Sequence, residues 1–100
     1  MNFVEMENEK EQFEQQSREE GKKAFDEIAG RLHYRNLYWM SQLGEDERTW
    51  ENMLNCTRTE PENWKEESGE YDRDAFASGF FERFDEVWEE FQAWYRRLSE

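Results

Sequence analysis

The sequence predicts an all-α fold, a small helical bundle of three or four helices with a long C-terminal amphipathic helix. Three observations carry this. β-branched residues are confined to Val4, Ile28, Thr49, Thr57, Thr59 and Val87. Glu, Gln, Arg and Ala, which suit helices, are abundant. Above all, Ala75–Leu98 holds a helical stripe for three repeats. Ala77, Phe84, Phe91 and Leu98 fall seven apart, Phe80, Val87 and Trp94 follow three later, and Phe81, Trp88 and Tyr95 one later again. Three apolar positions in seven is the pattern of a helix that buries one side.

Taken in order, residues 1–23 predict an acidic N-terminal helix or partly disordered arm. Met6 and Phe13 are the apolar residues between positions 5 and 23, so burial is poor despite good helix propensity. Gly21 is placed where such a helix would break. Residues 24–100 are expected to form a single helical domain. Ala24, Phe25, Ile28, Ala29 and Leu32 give a short stripe weakened at Gly30. Leu37, Tyr38, Trp39, Met40 and Leu43 form the most apolar run, which Gly44 would stop as a left-handed cap.

Glu45, Asp46 and Glu47 suit the positive end of a third short helix carrying Trp50, Met53 and Leu54. Thr59-Glu60-Pro61-Glu62 fits a capping box, Trp64 would anchor one turn, and Ser68-Gly69 would end it. The last helix should open near Asp72 and Asp74 and close at Arg96 and Arg97, acids and bases at the matching ends of its dipole. At 1.5 Å per residue it makes a rod of about 38 Å. Gly79 lies off its main stripe, where it permits close approach of a neighbour. Aromatics from the middle of the chain are expected to close over Phe80, Phe84, Val87, Phe91 and Trp94.

The length suits one domain with a modest core. The net charge is −13, from 26 acids against 13 bases. That field opposes direct binding to nucleic acid or anionic membranes and favours a basic partner. Cys56 is alone, which excludes an internal disulfide. With no secretory signal pattern and no long apolar run, the expected location is cytoplasmic, the host cell's cytoplasm if a phage encodes the chain.

No motif for catalysis, cofactor binding or a metal is found. One Cys56 and one His33 cannot build a zinc site. Centring a calcium loop on Gly69 puts Trp64 at its first ligand position. His33 beside Tyr34 reads as a helix-end residue, and Cys56 as a buried thiol without the basic surroundings of a nucleophile. The many carboxylates single out no catalytic pair.

The pattern of the acids is the remaining signal. Glu82, Asp85, Glu86, Glu89 and Glu90 line the polar side of the last helix, and Asp46, Glu47, Glu66 and Glu67 are candidates to extend it. A four-residue step advances about 6 Å along a helix, so such a row can imitate the closely spaced phosphates of duplex DNA. In composition and size the chain resembles, as a class, the phage and plasmid proteins that block host defence. That resemblance implies a non-enzymatic inhibitor, of anti-CRISPR or anti-restriction type, occupying the basic groove of a nucleic-acid-binding complex. The alternative is an acidic helical adaptor that self-associates, as a homodimer, or binds a partner helix through its aromatic stripe.

Overall fold

The computed structural model describes residues 3–57 and 71–99. Among the described residues there are four α-helices, α1 (Phe3–Ile28), α2 (Tyr34–Ser41), α3 (Trp50–Thr57) and α4 (Arg73–Ser99), with single 3-10 turns at Ala29–Arg31, between α1 and α2, and at Glu45–Glu47, between α2 and α3. The described residues include no strand. The all-α bundle with a long C-terminal helix is thus what the chain forms. The capping box at 59–62, Trp64, Ser68-Gly69, Glu66 and Glu67 lie outside the described residues.

The two long helices form the frame. Ser17 meets Asp72, Phe25 meets Phe80 and Phe84, and Asp26 meets Arg83. Both residue numbers rise together, so α1 and α4 run parallel. Parallel neighbours need a crossover, and α2 and α3 supply it. The two helices are also staggered. Residues 3–16 run ahead of α4 by about 21 Å, and residues 88–99 of α4 outlast α1. That stagger accounts for a long axis of 60 Å against widths of 26 and 23 Å.

Gly21 does not break α1, which continues seven residues past it to Ile28. It faces the α4 backbone instead. A Cβ there would collide with the Phe76 carbonyl oxygen, and one on Gly79 would collide with the Arg18 carbonyl oxygen. Each helix thus presents a side-chain-free spot to the other's main chain, as expected of Gly79 and not of Gly21. Ser17, one turn before Gly21, is 1% exposed and its Oγ accepts a 2.8 Å hydrogen bond from the Asp72 N–H. Asp72 then caps α4, its Oδ1 accepting from the Ala75 N–H at 3.1 Å. The start of α4 is therefore fastened to the middle of α1.

The core is built of phenylalanine. Phe25, Phe76, Phe80, Phe81 and Phe84 are buried, with Met40 and Met53 closing over them from α2 and α3. Phe25 meets Phe80 edge-on at 5.2 Å and 77°, an arrangement worth about 0.5–1.5 kcal/mol beyond area burial. Asn36 ties the crossover together. Its Oδ1 accepts from the His33 N–H at 2.9 Å, and its Nδ2 donates to the Cys56 carbonyl at 2.7 Å.

Two expectations are corrected here. Gly44 is not a left-handed cap: at φ −73° and ψ 168° it is extended and leads into the Glu45–Glu47 turn. The α2 helix already ends at Ser41, where the Ser41 hydroxyl donates to the Tyr38 carbonyl. The apolar stripe of α4 is also not buried to its end. Phe80 and Phe84 are inside and Val87 and Phe91 half-buried, but Trp94 is 50% exposed, because α1 stops at Ile28 and nothing described covers the last turns.

Candidate partner-binding surfaces

Each carboxylate predicted on α4 follows from the register of its core. With Phe80 and Phe84 inward, a 3.6-residue period turns positions 82, 85, 86, 89 and 90 outward. Glu82, Asp85, Glu86, Glu89 and Glu90 are all exposed. Over Glu82–Glu90 the row extends for about 12 Å.

Two of these acids are already engaged. Asp85 Oδ2 lies 2.6 Å from Arg48 Nη1. Arg48 also donates to the Leu43 carbonyl at 3.4 Å and lies over the rings of Phe81 and Phe84. It is a strap from the crossover to α4. Glu86 Oε2 lies 2.8 Å from Arg83 Nη1, and Arg83 Nε is 2.8 Å from Asp26. The hydrogen bond to Asp26, then that to Glu86, raises the Arg83 pKa above its ordinary value. Glu82, Glu89 and Glu90 make no ion pair among the described residues.

Asp46 and Glu47 are exposed on their 3-10 turn, and Glu47 Oε1 accepts from the Gly44 N–H at 3.3 Å. The acid of this turn that shares a depression with α4 is their neighbour Glu45. It lines a shallow depression with Glu82, Asp85, Arg18, Arg48 and Phe81. The sequence reading placed Glu45 at the start of a helix but missed this role. The two arginines in the depression make that end of the face mixed in sign.

A second surface occupies the far end of α4. Trp94, Tyr95 and Leu98 are 50%, 60% and 64% exposed. Rings run in succession from Tyr38 through Tyr34 and Phe91 to Tyr95, with centroids 6.1–6.4 Å apart. Tyr34, Trp88, Phe91, Gln92, Tyr95 and Arg96 border an open cleft of about 490 Å³. Tyr34 was not singled out from the sequence, since its reach to Trp88 and Phe91 is a tertiary contact that local spacing does not reveal.

Neither surface holds a nucleophile with its base. Cys56 is buried, and desolvation pushes its thiol pKa up, away from the reactive thiolate. His33 is exposed at the entry to α2. Among the described residues no three His, Cys, Asp or Glu side chains gather as metal ligands. No described helix is long and apolar enough to cross a membrane. No family model, curated protein or solved structure matches the chain.

Proposed function

We propose that the protein works without catalysis, as an inhibitor that lays the carboxylate face of α4 in a basic nucleic-acid-binding groove of another protein. The observation behind this reading is the exposed row Glu82, Asp85, Glu86, Glu89 and Glu90, backed by a helix whose other side is fixed in a phenylalanine core. A row held on a rigid rod loses little freedom on docking. Its spacing suits sites that normally receive phosphates, as in the anti-CRISPR and anti-restriction class. Asp46 and Glu47 would widen the contact. Charge reversal at Glu86 and Glu89 tests the reading: affinity for the partner should fall at least tenfold and its salt dependence should flatten. Unchanged affinity would refute it.

A second reading is an assembly module that acts through the aromatic end of α4. The exposure of Trp94, Tyr95 and Leu98 on one helix end favours it. It requires no basic partner, and its complexes should persist in high salt.

A further inference from the structure

We infer that the last turns of α4 pair antiparallel with the same turns of a second copy of the chain. The inference rests on the assembly reading and names its occupant and register. It shares Glu90 with the acidic-face reading and needs none of the other carboxylates of that row.

The free stripe is a continuation of the covered one. Phe80 and Phe84 pack under Phe25 of α1. Val87, Phe91, Trp94 and Leu98 carry the stripe onward at steps of four, three and four. The α1 helix ends at Ile28, so the groove it fills beside Phe84 stands open farther along. Tyr34 covers the neighbouring side of α4, with its ring 6.0 Å from Trp88 and 6.1 Å from Phe91. The open side is therefore the one that bears Trp94 and Leu98.

Charge selects the occupant and its direction. At 100° per residue, Glu90 and Arg97 flank this stripe on one side, and Trp88 and Tyr95 on the other. In an antiparallel pair with Phe91 opposite the second copy's Trp94, Val87 faces its Leu98. Glu90 then faces Arg97 twice, once in each direction, and Trp88 faces Tyr95. The surface is self-complementary, as a twofold interface must be. A parallel twofold pair would instead set the Glu90 and Arg97 flank against the Trp88 and Tyr95 flank, leaving both charges without a partner of opposite sign.

The antiparallel arrangement has a second advantage. It overlaps only the ends of α4 and points the two bodies, each of formal charge −13, away from one another. Their repulsion is then screened over distances beyond the ~10 Å Debye length. The overlap, residues 87–99, is about 20 Å long. That matches the part of α4 that outlasts α1.

Sedimentation equilibrium on the full chain tests the pairing, with circular dichroism confirming that each variant folds. An interface this small forms transient complexes. The wild type should therefore approach twice its 12.4 kDa mass at high concentration and revert on dilution. Leu98→Asp, at an exposed site, should stay folded and monomeric. Glu90→Arg should weaken the dimer at least tenfold, and Glu90→Arg with Arg97→Glu should restore it. A wild type that stays monomeric to about 1 mM, well above the range of specific transient pairs, overturns the inference. A dimer indifferent to Leu98→Asp also overturns it. A dimer sensitive to Leu98→Asp but not to Glu90→Arg overturns this register while leaving the assembly reading standing.

Discussion

Gly21 and Gly79 interlock the two long helices: each leaves room for the other helix's backbone, Gly21 for the Phe76 carbonyl and Gly79 for the Arg18 carbonyl. Because the obstacle is main chain on both sides, a methyl group there cannot be accommodated by a side-chain rotation. The whole helix would have to shift, and Phe25 would lose its place among Phe80 and Phe84.

Gly21→Ala and Gly79→Ala should therefore each destabilise the fold, although alanine is the better helix former by about 1 kcal/mol. Overpacking of this kind costs about 1–3 kcal/mol or more. In a domain of this size, each kcal/mol lowers the thermal midpoint by about 4–8 °C. Gly30→Ala is the control, since nothing lies within 4 Å of a Cβ at that site. Thermal melts of the three variants should separate the first two clearly from the third.

Phe84→Ala should be more damaging. Phe84 is 1% exposed, touches the rings of Phe25 and Trp88, and lies beneath the Arg48 guanidinium. Losing a buried Phe costs about 3–5 kcal/mol, a large part of a typical domain's 5–15 kcal/mol. Urea titration should show a lower midpoint. An unchanged midpoint would mean that the core lies elsewhere.

Arg48→Met keeps the aliphatic packing of the strap and removes its charge. The exposed Asp85 limits the worth of the ion pair, and the contact with the rings adds about 0.5–1 kcal/mol. A loss of roughly 1 kcal/mol is expected. It should shrink in high salt for the ion-pair part alone. A second consequence bears on function: Arg48→Met frees Asp85, so affinity for a basic partner should rise.

Cys56 gives a pH-dependent test. Burial raises its pKa from an ordinary 9.0, so the folded thiol stays protonated after the unfolded one has begun to ionise. The native state then binds more protons, and stability falls as pH rises above about 9. Cys56→Ala should remove that part of the decline. Below pH 8, alkylation of the native thiol should be slow and should accelerate with denaturant.

The sequence disclosed most of the frame because the relevant signals are periodic. The stripe from Ala77 to Phe91 recurs often enough to fix α4, and Asp72 marks its start. The role of Gly21 was not legible, because a glycine that breaks a helix and one that lets another helix approach are the same letter. Its meaning depends on Phe76, more than fifty residues away. Ser17 escaped notice for the same reason, since its partner is the Asp72 N–H. The heptad pattern through Leu98 suggested burial to the end of α4, but periodicity marks a face and not what covers it. The five α4 acids are exposed as read, yet Arg48 and Arg83 reach Asp85 and Glu86 through tertiary contacts that no local spacing reveals.

The most direct test of the central claim is capture from bacterial lysate with the tagged protein, repeated with excess duplex DNA. If the carboxylate face substitutes for phosphates, the protein should retain a nuclease, restriction or CRISPR component that the DNA releases, and Glu86→Lys with Glu89→Lys should retain none of it. A retained partner indifferent to DNA, to salt and to those reversals would contradict the claim and leave the aromatic end of α4 as the working surface.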